Sequence, residues 1–233
     1  MNAAPSPANA TGRTERRARV AVLISGRGSN MSALIAASMD ADFPARIVAV
    51  FSDKADAAGL DRARDAGIEA KAFPRRDYAD KAAHEAAILA AIDASGADFI
   101  CLAGYMRLLS GTFINRWKGK IINIHPSLLP AFPGLDTHHR AIAAGCRIHG
   151  ASVHFVTEGM DEGPVIAQAA VPVLPDDTPD TLAARVLSAE HALYPRALAM
   201  LARGEVRMSG EGRAAFAKGA GAGDKDRMLL VAE

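Results

Sequence analysis

Short runs of strand-forming residues alternate with segments of helical composition along most of this 233-residue chain, and that alternation leaves few folds open. Arg19–Ile24, Ile47–Phe51, Glu69–Phe73, Phe99–Ala103 and Ile121–Ile124 read as strands. Asn30–Ser38, Ala57–Ala66 and Ala79–Ser95 read as helices, the last two stopped by Gly67 and Gly96. A short helical segment precedes Ile121. Such a strand–helix–strand series predicts a parallel sheet with helices on both faces, because each crossover returns the chain to the same end of the sheet. After about residue 148 the pattern changes. Ala151–Thr157 and Val165–Val173 are two strands joined by a loop holding Glu158, Gly159, Asp161, Glu162 and Gly163. They read as a C-terminal antiparallel extension of the sheet. Thr178–Arg203 is a long helix, entered through Asp177-Thr178-Pro179-Asp180, a cap followed by a proline suited to the first turn. The expected class is therefore α/β, a Rossmann-like and mostly parallel sheet.

Composition narrows the function classes. Half of the residues are hydrophobic and the net charge is +1, which suits one globular unit with a substantial core and gives no wholesale attraction to nucleic acid. No apolar run approaches the roughly 20 residues of a membrane span. Cys101 lies inside an apolar run and is expected as a buried free thiol. With Cys146 as the one other cysteine, a reducing cytoplasm is expected, and no Cys/His cluster suggests a metal. Residues 1–17 are rich in Ala, Pro, Asn and Thr, lack the apolar stretch of a secretory signal, and are expected to form a disordered leader. Residues 18–210 are expected to form the catalytic domain, and the Gly-, Ala- and charge-rich residues 211–233 a poorly ordered tail.

The chemistry concentrates where strands end. Ile121-Ile122-Asn123-Ile124-His125-Pro126 presents an amide and an imidazole two residues apart, hence on one side of a strand. Pro126 then stops the strand, having no N–H for the ladder. Asn123 can donate to a developing oxyanion and His125 can carry a proton near neutral pH; equally, Asn123 can cap the loop backbone. Ser25-Gly26-Arg27-Gly28-Ser29-Asn30 follows the first strand and opens the first helix. Its amides can hold a phosphate, or it is a Gly-rich turn with Ser29 as helix cap. Met31 stands where a dinucleotide fingerprint has its third glycine, and no Gly-Lys-Ser/Thr of a P-loop occurs. Gly104-Tyr105-Met106-Arg107-Leu108-Leu109 follows the fourth strand. Its apolar members belong either to the core or to a flat slot for an aromatic ligand. Asp161 is either a solvated loop carboxylate or, if the later strands return beside the fifth, a partner for His125. His149 and His154 are further candidates, His154 more naturally a packed mid-strand residue.

Taken in order and spacing, Gly-Arg-Gly-Ser-Asn, Leu-Ala-Gly-Tyr-Met-Arg-Leu-Leu-Ser, Asn-Ile-His-Pro-Ser-Leu-Leu-Pro and Ser-Val-His-Phe-Val-Thr followed by Asp-Glu-Gly-Pro-Val-Ile carry a resemblance. Over about Arg19 to Met208 the chain resembles the phosphoribosylglycinamide formyltransferases, within the wider family of folate-dependent formyltransferases. The resemblance implies formyl transfer from 10-formyltetrahydrofolate to the amine of glycinamide ribonucleotide in purine synthesis, without a metal. It implies Asn123, His125 and Asp161 as catalytic residues. It places Gly28, Ser29 and Asn30 at the substrate phosphate, and Glu190 at the nucleotide substrate. Met106, Arg107, Leu108 and Leu109, with Asn123 and Arg75, would contact the folate. The expected partners are these two small molecules, with no nucleic acid or membrane, and the expected assembly is a monomer or weak homodimer. Three rivals share parts of the pattern: a tRNA-formylating relative, expected to carry a second basic domain; a formyltetrahydrofolate hydrolase, expected to carry an N-terminal regulatory domain; and a non-catalytic binding module.

Overall fold

The computed structural model describes residues 16–217 and 229–231. Its first strand, β1 (Ala18–Ile24), shows how the core is divided. Val20, Val22 and Ile24 pack into one apolar cluster, while Ala21 and Leu23 pack into another on the opposite side. All five are buried, as a strand covered on both faces requires. The chain continues through α1 (Ser29–Ser38), β2 (Ala45–Ser52), α2 (Ala58–Asp65), β3 (Glu69–Ala72), α3 (Lys81–Ser95), β4 (Phe99–Leu102), α4 (Gly111–Arg116) and β5 (Ile121–His125). It then adds α5 (Thr137–Ala143), β6 (Ile148–Phe155), β7 (Val165–Pro172) and α6 (Pro179–Ala202). A small hairpin of β8 (Val206–Met208) and β9 (Ala214–Phe216) follows, and β10 (Leu229–Val231) is the last described strand.

The main sheet has eight strands in the order β10-β7-β6-β5-β4-β1-β2-β3. Strands β1 to β5 pair parallel, and β5–β6 and β6–β7 pair antiparallel. The predicted Rossmann-like sheet with an antiparallel extension is what forms. The strand order reverses at β1: β2 and β3 go to one side, β4 and β5 to the other. At such a reversal the two loops leaving neighbouring strands diverge and leave a crevice at their carboxyl ends. Here those loops begin at Ser25 and Ala103.

Local chemistry explains the shifted boundaries. Helix α3 starts at Lys81 and not at Ala79, because the Asp80 carboxylate accepts from Ala83 N–H at 2.7 Å and acts as its cap. Thr178 caps α6 with Pro179 at its first position, close to the predicted start. Helix α5 was not expected from its sequence, Thr-His-His-Arg-Ala-Ile-Ala, whose period is weak; it follows a left-handed Asp136. The expectation of an unpaired tail from residue 211 does not hold for Ala214–Phe216, which pair with Val206–Met208, nor for Leu229–Val231, which pair with β7. Residues 218–228 and 232–233 lie outside the described residues, as do 1–15 of the leader. The leader's last two residues are anchored: Arg16 bonds Asp98 at 2.8 Å, and Arg17 donates to the carbonyls of Ser38 and Ala45. Cys101 is fully buried, as expected, and burial pushes its thiol up to about 12.

Helix α6 ties the last part of the chain to the middle of the sheet. The Tyr194 hydroxyl, wholly buried, lies 3.0 Å from the Leu102 carbonyl and 3.1 Å from the Ile122 carbonyl. It therefore clamps β4 to β5 one residue before Asn123. Tyr194→Phe removes the donor and leaves those carbonyls short of a partner. It is expected to lower stability by about 1–2 kcal/mol, read as a lower denaturant midpoint at unchanged slope.

Candidate active site

The end of β5 is the centre of the site. Asn123 and His125 lie on one face of the strand, and the antiparallel register sets His154 of β6 directly opposite Asn123. The Asn123 amide nitrogen is 3.2 Å from His154 Nε2, and His154 Nδ1 is 2.9 Å from the Phe155 carbonyl. A carbonyl only accepts, so Nδ1 carries the proton and Nε2 offers a lone pair to the Asn123 amide. Burial, the largest influence, lowers the His154 pKa and favours this neutral tautomer. His154 is thus the packed residue the sequence suggested, and it also orients Asn123.

Asp161 reaches His125, as the more demanding of its two readings required. Its Oδ2 lies 3.3 Å from His125 Nδ1 and accepts from Gly134 N–H at 2.9 Å. His125 Nε2 donates to the Phe132 carbonyl at 3.0 Å. Both ring nitrogens face acceptors, so a ring protonated on both satisfies both at once. Asp161 and Phe132 have positive φ values of 56° and 54°, an uncommon conformation for residues with side chains, and both sit against His125. The return of the Asp161 loop under β6 needs a glycine at 163. A Cβ there would stand 1.6 Å from the Phe155 carbonyl oxygen. His149 lies beside this cluster, its ring edge-on to those of Phe132 and His138, and burial, the largest influence, lowers its pKa to about 4.

Gly28 and not Ser29 precedes the first turn of α1, and no side chain caps that turn. Its first backbone amides are therefore without a side-chain acceptor. Gly28 has φ +71°, and an added Cβ would meet the Cα of Gly59 at 3.0 Å. Asn30 turns inward to donate to Glu190 at 2.7 Å, which brings the middle of α6 to the start of α1. Met31, in place of a third glycine, is fully buried in the core.

The loop after β4 is split, with Tyr105 and Leu109 packed against the apolar cluster on one side of the sheet and the residues between them turned outward. Met106 and Leu108 are 66% and 62% exposed, so this stretch forms an apolar ledge. Leu108, Leu109, Leu102 and Ile114 line a small open hollow of about 100 Å³ whose other wall holds Asn123, His154 and Asp161. Arg75 lines a second hollow with Met106, Arg107 and Lys81. Two features of this region were missed in the sequence. One is Lys81. The other is Asp53, a carboxylate only 4% exposed that accepts from Ser25 and from Arg107 Nε at 2.7 Å. Ser25 Oγ in turn accepts from Met106 N–H at 2.9 Å. This tie fastens the ledge to the loop that opens α1. Its one sequence signal was position: Asp53 directly follows the β2 strand, on the carboxyl side of the sheet. Among the described residues no group of three or more His, Cys, Asp or Glu side chains is placed to hold a metal ion.

Burial pushes the Glu190 carboxyl up to about 7, against the opposing pull of the Asn30 amide. The native chain thus keeps a proton that the unfolded chain loses near 4.5. The resulting stabilisation is fully present below the unfolded value and is lost as pH rises through about 7. Glu190→Gln is expected to flatten that part of the denaturant-midpoint profile; an unaltered slope would place the titration on another group.

Comparison with known proteins agrees with this architecture. The family model described as "Formyl transferase" matches residues 18–198. The trifunctional purine biosynthetic protein adenosine-3 of Drosophila melanogaster is 48% identical over 200 residues; the match covers 85% of this chain and 15% of that protein. The chain thus spans only a small part of such trifunctional relatives. Phosphoribosylglycinamide formyltransferase of Escherichia coli K12 is 46% identical over 189 residues, covering 81% of this chain and 89% of that one. The crystal structure of phosphoribosylglycinamide formyltransferase from Brucella melitensis aligns with a TM-score of 0.78 at 63% identity, covering 80% of this chain and 96% of that one. A family model that spans both halves of the sheet, and a relative matched over nearly its whole length, lead to one assignment: the chain belongs to the formyl transferase family.

Proposed function

We propose that this chain transfers the formyl group of 10-formyltetrahydrofolate to the primary amine of N1-(5-phosphoribosyl)glycinamide, a step of purine biosynthesis. The observation that carries this reading is the meeting of Asn123, His125 and Asp161 at the end of β5, beside a hollow whose wall also holds Leu102, Leu108, Leu109 and Ile114. The amides of Gly28, Ser29 and Asn30 suit the substrate phosphate, and Glu190 beside Asn30 suits its hydroxyl groups. The ledge of Met106, Arg107, Leu108 and Leu109, with Arg75 beyond it, suits a flat heteroaromatic donor carrying an acidic tail. The two ligands then meet at His125.

The chemistry follows from those groups. The amine nitrogen attacks the formyl carbon and the carbonyl oxygen takes up negative charge. The Asn123 amide and a His125 N–H donate to that oxygen. Asp161 holds His125 through Nδ1, so Nε2 is the nitrogen that can exchange the Phe132 carbonyl for the oxyanion. Collapse breaks the bond to the folate nitrogen, which takes a proton as the amine loses one. His125, or a water held by Asp161, relays it. The products are the formamide and tetrahydrofolate. Two free cysteines suit a reducing cytoplasm, and a monomer or weak homodimer interacting with small molecules completes the reading. Measuring formyl transfer with and without the amine tests it. Formate release that ignores the amine would instead indicate a hydrolase.

If Asp161 acts through His125, then His125→Ala and Asp161→Ala should each slow transfer strongly, and the double variant should lose far less than the product of the two factors. Fully multiplicative losses would separate Asp161 from His125. Asn123→Ala should cost about 10²–10³ in kcat, the usual loss for an oxyanion donor; an unchanged rate would leave only the backbone-capping role.

Gly28→Ala should raise KM for the ribonucleotide with little change in KM for the folate. A Cβ at φ +71° both strains the turn and crowds Gly59, displacing the amides that face the phosphate. A change confined to the folate KM would mean that the two ligand sites are reversed.

A further inference from the structure

Strands β4, β1 and β2 stand side by side, and their registers set Leu23 beside Leu102 and Ile24 beside Ser52. Ser25, Asp53 and the chain from Ala103 to Met106 therefore leave the sheet at one level. Each oxygen of Asp53 goes to a different loop. Oδ1 accepts from the Ser25 hydroxyl, at the root of the turn that opens α1. Oδ2 accepts from Arg107 Nε at 2.7 Å, on the ledge. The Ser25 hydroxyl oxygen accepts in turn from Met106 N–H at 2.9 Å, so turn and ledge are also bonded directly.

The segment that carries Asp53 grips the turn a second time. Lys54 N–H donates to Ser52 Oγ at 3.0 Å, which closes the bend holding Asp53. Further on, Gly59 N–H donates to the Gly26 carbonyl at 3.1 Å, and a Cβ at Gly59 would stand 3.2 Å from Gly28 Cα. The turn is thus held between Asp53 and the start of α2. Asp53 is buried, so water competes little for its bonds. A carboxylate is also the group that this geometry demands, because it accepts at both oxygens. An amide in its place would point N–H groups at one partner. Toward Arg107 donor would meet donor; toward Ser25 the hydroxyl proton would lose its acceptor.

We propose that Asp53 is a positioning residue that makes the two ligand sites cooperative: ribonucleotide at the turn and folate on the ledge each tighten the binding of the other. This rests on the two-ligand reading of the site given above. A ligand on the ledge fixes Met106 and Arg107, and through Asp53 and Ser25 it fixes the turn as well. The second ligand then meets a turn that is already ordered, which is positive coupling. By linkage the factor is the same in either order of binding. Asp53 needs no contact with either ligand to have this effect.

The test uses a pair that cannot react: tetrahydrofolate, which has no formyl group to give, and glycinamide ribonucleotide. Calorimetric titration of the full chain measures each ligand alone and each with the other present at saturation. The expected result in the unaltered protein is binding roughly 5- to 20-fold tighter when the other ligand is bound. In Asp53→Asn that factor should fall to within about twofold of unity, the loss falling on the second ligand while the affinities for single ligands change far less. Ser25→Ala keeps the Asp53–Arg107 pair and cuts only the arm to the turn. It should lose the coupling too, and it carries the test if Asp53→Asn does not fold. Independent binding in the unaltered protein would overturn the coupling and leave the functional reading in place. So would a factor that survives in either folded variant, including one that weakens single and paired binding equally, since that is the mark of a merely structural role. An unaltered protein that binds neither ligand, alone or in the pair, would overturn both.

Discussion

The reversal of strand order at β1 is the constraint on which the rest depends. Because β2 and β4 flank β1 and their connections leave in opposite directions, the carboxyl ends of β1 and β4 have no crossover between them. Backbone groups there cannot be satisfied by a neighbouring strand, so they are left for turns, helix starts and ligands. The Ser25–Asn30 turn and the Gly104–Leu109 ledge both arise at this point. Ser25 N–H bonds the Gly104 carbonyl at 3.1 Å, which joins the two loops at their roots. Asp53, from the end of β2, then adds a charged tie between the same two loops.

Asn123 and His125 are supported on the other side of this crevice, where the sheet turns antiparallel. A parallel neighbour would have put a helix over the end of β5. The antiparallel return instead brings His154 opposite Asn123 and lets the next loop carry Asp161 back to His125. Rigidity comes from below. Tyr194 bonds carbonyls of β4 and β5, and Ser152 Oγ donates to the Ser127 carbonyl while accepting from Leu129 N–H. The loop after His125 is thereby pinned at its start, and the imidazole sits on ordered backbone.

Buried polar groups follow the same division. Asn30 donates to Glu190 at 2.7 Å while its own Oδ1 finds no partner, and burial in this region pushes the Glu190 carboxyl up to about 7. Asp53 is buried to a similar degree but meets a guanidinium, with Arg107 Nε 2.7 Å from its Oδ2. Two acids near one crevice thus have different tasks. One couples helix α6 to the turn that opens α1, and the other couples that turn to the ledge.

Local rules made much of this legible. The continuous apolar run of β1, helix-stopping glycines at 67 and 96, and the proline entry to α6 depend on neighbours a few residues away, and the sequence sufficed for them. So did the pairing of Asn123 with His125 on one face, which is a matter of strand geometry. Other points required contacts far along the chain. That Asp161 meets His125 depends on β6 and β7 returning antiparallel. That Met106 and Leu108 lie outside the core depends on the crevice beside them, and composition alone admitted both readings. Asp53 and Lys81 carried no motif, since their roles exist only once three strand ends stand side by side. The short strands at Ala214–Phe216 and Leu229–Val231 form because partners at Val206–Met208 and β7 supply hydrogen bonds, and segments that small have no preference strong enough to be read without them. The sequence by itself determined the alternating elements and the placement of Asn123 and His125 on one face of a strand end, because those are set by local geometry; the tertiary structure decided which distant side chains stand beside them, because only the order of strands brings them within bonding distance.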